Sequence, residues 1–219
     1  MTRGREGIHT RAVHRVAAAC LLYPDDSFVA ERSLLRAAVS ELPSGQPRTW
    51  LGEFLAYAAR TPLSRLATHY VDVFDLSRKQ TLYLSYWTDG DTRRRGEVLG
   101  RFKQRYRASG FLVDTHGELT DYLPLVLEYA ALADPADGLA LLQEYRASVE
   151  LIRLGLVDLG TPYARVLEAV CDTLPGPSPG DRAAVMAMAA AGPPREEVGL
   201  EPFDPRLLPL SDRVEVSGR

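Results

Sequence analysis

The chain of 219 residues is 46% apolar and 25% charged, the balance of an ordinary soluble globular protein long enough to bury a full core. Its formal net charge of −3 argues against a general nucleic-acid binder, which carries a basic surplus. The most apolar stretch, around residues 122–133, is interrupted by Glu128 and falls short of the roughly 20 residues that span a bilayer.

The opening run Met1-Thr2-Arg3-Gly4-Arg5-Glu6 has charges but no apolar stretch of signal-peptide type behind it, so a cytoplasmic protein with no membrane insertion is expected. Cys20 and Cys171 stand far apart with no Cys-x-x-Cys pair, which excludes a disulfide framework and argues against a structural zinc site. Both fall on apolar helical stripes and read as reduced core thiols.

Apolar residues recur at spacings of three and four along most of the chain, and alternating strand patterns are almost absent. The spacing predicts a first helix over 10–22, stopped by Pro24, since proline disfavours helix in the residue before it. Asp25 or Asp26 is placed to cap a second helix carrying Phe28, Val29, Leu34, Leu35, Ala38 and Val39. A turn at 43–47 leads to a third helix with Trp50, Leu51, Phe54 and Leu55 inward. Thr61-Pro62 supplies an N-cap and a first-turn proline for a fourth helix bearing Leu63, Leu66, Ala67, Tyr70, Val73 and Phe74.

Further on, Thr120 or Asp121 is placed to cap a helix over 122–131 that is apolar on every side and so reads as central and buried. Asp134-Pro135 opens a long helix with Leu139, Leu142, Val149, Ile152 and Leu156 inward, and Thr161-Pro162 another with Val166, Leu167 and Val170. Ser178-Pro179-Gly180-Asp181 resembles a capping box ahead of an Ala/Met helix. Prolines then recur, so residues 192–219 read as an irregular tail, docked through Leu200, Phe203, Leu207 and Leu208 or mobile. The expectation is an all-α, single-domain helical bundle over residues 1–191 followed by that tail.

Recognition chemistry concentrates between Tyr70 and Ala131. Asp89-Gly90-Asp91-Thr92 looks like a cap, which puts Arg93-Arg94-Arg95 in the first turn of the next helix, where cations face the positive end of the helix dipole. Such a placement calls for carboxylate partners, of which Asp89, Asp91, Glu118 and Asp121 are the candidates. A bound acidic or phosphate group, or plain solvation, are the other readings of the run.

Tyr70, Phe74, Tyr83, Tyr86 and Trp87 surround these charges, either as core or as the rim of a peptide groove edged by carboxylates and suited to a basic amphipathic helix. Glu118 and Asp121 as a hydrolytic pair lack a nucleophile, a metal set or a nearby histidine. His9, His14, His69 and His116 have no metal-ligand spacing, and no glycine-rich phosphate loop is present.

The runs Tyr70-Val71-Asp72-Val73-Phe74-Asp75-Leu76, Leu82-Tyr83-Leu84-Ser85-Tyr86 and Gly90-Asp91-Thr92-Arg93-Arg94-Arg95-Gly96 resemble the NarJ family, the delta chain or assembly chaperone of respiratory nitrate reductase. Arg101-Phe102-Lys103-Gln104-Arg105-Tyr106-Arg107, Glu118-Leu119-Thr120-Asp121 and Val126-Leu127-Glu128-Tyr129-Ala130-Ala131 extend the likeness. Leu21-Leu22-Tyr23-Pro24 is similar to the wider group of redox-enzyme maturation chaperones.

The resemblance implies an all-helical protein that catalyses no reaction and has no cofactor of its own. Its partner would be the apo catalytic (alpha) subunit of nitrate reductase, bound through the subunit's N-terminal segment. That chain would be kept competent for molybdenum cofactor insertion, and its membrane docking delayed.

On this reading Tyr70, Phe74, Tyr83, Tyr86, Tyr122 and Leu125 line the groove. Asp89, Asp91, Glu118 and Asp121 fix a basic client segment, and Arg93 and Arg94 brace those carboxylates or meet acidic client groups. Two departures alter the pattern. The family's Glu-x-Pro-Asp-His appears as Glu118-Leu119-Thr120-Asp121-Tyr122, and Asp89 stands where relatives often carry an aromatic residue, which makes the groove more acidic. A cofactor carrier, or a nucleic-acid-binding regulator using the arginine run, is the alternative.

Overall fold

In the computed structural model, residues 2–76, 80–89, 93–110, 114–115 and 117–191 are described. They form helices without a named strand, as the periodicity predicts. The expected tail over 192–219 lies outside them.

The first helix, α1 (Thr2–Leu21), begins well before the expected position 10, because no proline interrupts the chain before Pro24. Its second half is sealed on almost every side: Ala17, Ala18, Ala19, Cys20 and Leu21 are all buried. Asp25 caps α2 (Asp26–Glu41), accepting a hydrogen bond from the Phe28 N–H at 3.0 Å. The third helix, α3 (Gln46–Arg60), packs most extensively against α10 (Tyr163–Asp172), and both lean on α1.

Thr61 does not cap α4 (Leu63–Tyr70). Pro62 occupies the cap position, and the Thr61 hydroxyl turns back to the Tyr57 carbonyl at 2.9 Å. The helix continues into a π-helical turn, Val71–Asp75, closed by a bond from the Leu76 N–H to the Val71 carbonyl at 3.0 Å.

After the short α5 (Tyr86–Asp89), α6 (Arg93–Ala108) starts at the arginine run and buries one stripe of Val98, Phe102 and Tyr106 in an otherwise charged surface. The apolar helix predicted over 122–131 is α7 (Leu123–Glu128) running into a second π-helical turn, Tyr129–Ala133. It is central as expected: Leu123, Val126 and Leu127 are fully buried, and α7 packs against α1. Neither Thr120 nor Asp121 caps it, because Tyr122 takes the cap position and the Asp121 side chain is engaged elsewhere.

The long helix predicted from Pro135 bends at Tyr145 (φ −99°, ψ 21°) into α8 (Pro135–Glu144) and α9 (Arg146–Asp158). Asp134 caps α8 through the Asp137 N–H. A Cβ on Gly138 would fall 2.3 Å from the Ala130 Cα, so only glycine lets α8 meet the π turn this closely. The last described helix, α11 (Arg182–Ala191), packs on α9 and is capped by Asp181, whose Oδ1 accepts from the Ala184 N–H. Cys20 and Cys171 are buried free thiols, and burial raises both thiol pKa values.

Candidate functional site: an acidic aromatic groove at the end of α1

The carbonyl of Leu21, last residue of α1, has no helical partner of its own and is met by two tyrosines. Tyr70 donates to it at 3.1 Å, Tyr122 reaches it at 3.5 Å, and the two hydroxyls are 3.0 Å apart. Burial is the first cause that raises both pKa values, and Tyr122 is pushed up to about 12. These hydroxyls therefore stay protonated and tie together the end of α1, the end of α4 and the entry to α7.

Beside this junction opens a groove of about 820 Å³. One wall is α1, through Arg15, Ala18 and Ala19, with Leu22 just past its end, and the start of α2 continues it. The opposite wall carries Tyr70, Phe74, Tyr83, Tyr122 and Leu125. Tyr23 stands edge-on to Tyr70, with ring centroids 5.6 Å apart, at the rim.

Among the described residues, five carboxylates line the groove, Asp25, Glu31, Asp75, Glu118 and Glu128, against a single cation, Arg15. Arg15 is already paired with Glu128 at 3.5 Å. A low-dielectric wall carrying several like charges focuses their field and favours a cationic occupant.

The wall bearing Tyr83 is held by a backbone clasp. Leu84 N–H donates to the Asp121 carbonyl and Leu123 N–H to the Leu82 carbonyl, which makes Tyr83 and Tyr122 an isolated antiparallel pair. Tyr83 donates its hydroxyl to Glu118 Oε2 at 2.5 Å, and burial followed by this bond raises its pKa. Behind the clasp, Asp121 is 0% exposed. Its Oδ2 accepts from the Ser85 N–H at 3.0 Å and from the Ser85 hydroxyl at 2.6 Å, with Arg95 Nη2 3.6 Å away. The Arg95 guanidinium lies 5.6 Å from the Tyr83 ring centre and 5.9 Å from that of Tyr86.

Of the residues singled out from the sequence, Tyr70, Phe74, Tyr83, Glu118, Tyr122 and Leu125 are brought together on the groove. Asp121 is not: a carboxylate sealed from solvent and turned onto Ser85 has no open face for a client. Tyr86 stands behind the wall beside Arg95, and Arg94 is exposed on α6 away from the groove. The expected bracing of the carboxylates by arginine falls to Arg95, which lies three residues before Val98 and so shares the buried stripe of α6. Asp91 and the side chains of Asp89 and Arg93 lie outside the described residues.

Sequence reasoning missed the α1 and α2 wall. The signal was available: Arg15, Ala18, Ala19 and Leu22 repeat at three and four residues, leading to the Leu22-Tyr23-Pro24 corner. Among the described residues, no group of three or more His, Cys, Asp or Glu could hold a metal ion, and no helix is long and apolar enough to cross a membrane.

Residues 42–167 match the family model described as nitrate reductase delta subunit. Over 161 residues, 74% of its length, the chain is 38% identical to the nitrate reductase-like protein NarX of Mycobacterium tuberculosis, of which it spans only 24%. It is 35% identical over 159 residues to a Bacillus subtilis protein described as the nitrate reductase molybdenum cofactor assembly chaperone NarJ, covering 72% of this chain and 86% of that one. A crystal structure described as a redox enzyme maturation protein from Archaeoglobus fulgidus shares the fold, with a TM-score of 0.56 at 18% identity over 74% of this chain and 91% of that one.

Proposed function

The chain belongs to the nitrate reductase delta subunit family, and on that premise we propose that it is an assembly chaperone for the catalytic subunit of a nitrate reductase. It acts before the molybdenum cofactor is inserted, in the cytoplasm, and is not itself a catalyst. It holds the N-terminal segment of the apo subunit, which keeps that subunit open to the cofactor and away from its membrane partner until insertion is complete.

The observation that carries this reading is the groove at the end of α1, an apolar and aromatic trough edged, among the described residues, by five carboxylates and one paired arginine. Its chemistry suits one face of an amphipathic helix with basic residues beside its apolar stripe. The apolar side chains of the segment lie against Leu22, Phe74 and Leu125, and its cations meet Glu118, Asp75 and Glu31. Apolar burial supplies most of the affinity, and the carboxylates set orientation and speed encounter. When the client folds around its cofactor, its N-terminal segment is drawn into the folded enzyme and leaves the groove.

Co-expression of the chain with the full catalytic subunit, and with the subunit lacking its N-terminal segment, tests the reading. The full subunit copurifies in its cofactor-free form and the truncated one does not. Equal recovery of both forms contradicts binding through that segment.

A further inference from the structure

The sequence presents three consecutive arginines, and of the two whose side chains are described, Arg95 turns inward. Arg94 is exposed, whereas the Arg95 side chain is 16% exposed and lies between a sealed carboxylate and two aromatic rings. We propose that Arg95 is a positioning residue of the peptide groove: anchored by Asp121 and Ser85, its guanidinium backs the Tyr83 ring and so sets where Tyr83 holds Glu118. The inference rests on the chaperone reading above and assigns to the last arginine of the run an internal role rather than a surface one.

The chain of contacts is continuous. Asp121 Oδ2 is fixed by both donors of Ser85, so it cannot swing away. Arg95 lies against the same pair, with Nε donating to Ser85 Oγ at 3.3 Å and Nη2 3.6 Å from Asp121. Its planar cation is within stacking reach of Tyr83, whose opposite end donates to Glu118 Oε2. Glu118 is exposed, and its remaining oxygen is left to a cation of the bound segment. Tyr83 is only half-buried, so packing alone does not fix its ring. The backbone clasp sets the Tyr83 Cα, and the guanidinium sets the ring.

Lysine cannot replace arginine here. An ammonium keeps the charge facing Asp121 but lacks the flat face that stacks on Tyr83 and the geometry that also reaches Ser85.

The test uses the full chain, Arg95→Lys, Arg95→Met and Tyr83→Phe, titrated calorimetrically with a synthetic peptide of the N-terminal segment of the nitrate reductase catalytic chain. In parallel, Tyr83 ring resonances are followed by NMR without peptide, assigned by their loss in Tyr83→Phe. Arg95→Lys and Arg95→Met each weaken binding by about tenfold and shift the Tyr83 resonances while leaving those of Tyr57 in place. In the Tyr83→Phe background, Arg95→Lys costs less, because the hydroxyl it positions is gone.

Wild-type affinity in Arg95→Lys, measured on folded protein, with unmoved Tyr83 resonances overturns the proposal. So does a loss of affinity that only follows the unfolded fraction. If the wild type itself fails to bind while Tyr83 still shifts in Arg95→Lys, the contact is structural only, and the chaperone site has failed separately from it.

Discussion

Asp121 and Glu150 are both 0% exposed, and arginine meets both, yet the two clusters serve different ends. Glu150 lies on α9 between Arg146, 3.6 Å away, and Arg153, at 2.6 Å. Those guanidiniums continue outward to backbone carbonyls: Arg146 to Pro175, Gly176 and Pro177, and Arg153 to Pro179. The cluster therefore fixes the path of the loop that delivers α11. Among the described residues Asp121 has one arginine, and that arginine continues to aromatic rings at the groove wall. A buried carboxylate is costly unless matched, so each marks a place where the fold needs one geometry. At Glu150 that geometry belongs to the chain path, and at Asp121 it belongs to a recognition surface.

The largest effect is expected from Glu150→Ala, which leaves two guanidiniums facing each other without a counter-charge and should cost about 3–5 kcal/mol in urea unfolding. Peptide affinity of the folded fraction stays unchanged, and a loss of affinity would break the comparison.

His14 sharpens it from the other side, as a 1% exposed titratable group whose Nε2 is 2.8 Å from the Thr173 hydroxyl. Burial lowers its pKa from 6.5 to about 4, so the unfolded chain binds the extra proton between those values and the folded chain does not. Its contribution is fully present above pH 6.5 and is lost as the pH falls towards 4, by about 3 kcal/mol. Unfolding curves across that window should lose this slope in His14→Gln.

Asp121→Asn keeps a hydrogen-bond acceptor for Ser85 and removes the charge facing Arg95. A stability loss of about 1–3 kcal/mol is expected, and here, unlike at Glu150, peptide affinity falls with it. Glu118→Gln is the smallest change to the fold, within about 0.5 kcal/mol in unfolding, because the exposed side chain can still accept from Tyr83. It weakens peptide binding by roughly threefold to tenfold.

The helical architecture was legible because apolar residues at three- and four-residue spacing mark the face a helix buries, as in the Val98, Phe102 and Tyr106 stripe of α6. The caps were less so. Asp25 and Asp134 act as read, but Thr61 and Asp121 were drawn to other partners that only the tertiary structure supplies.

At the site, six aromatic, apolar and acidic residues were placed on one surface because they cluster in sequence. The α1 wall and its carboxylate neighbours come from a distant part of the chain. The Arg146, Glu150 and Arg153 cluster also escaped notice, since charges at i+3 and i+4 on a helix read as a solvated face. Conversely, a carboxylate partner for the arginine run is legible in Asp121, which meets Arg95 on the buried stripe of α6.

The central claim is that the acidic groove at the end of α1 holds the N-terminal segment of the catalytic subunit. Calorimetric titration of the chain with a synthetic peptide of that segment tests it most directly, alongside the double variant Asp75→Lys, Glu118→Lys, which reverses two exposed groove charges and spares buried Asp121. Saturable one-to-one binding that is lost in the folded double variant is the predicted result. Binding of equal strength in both proteins, or none in the wild type, would contradict the account.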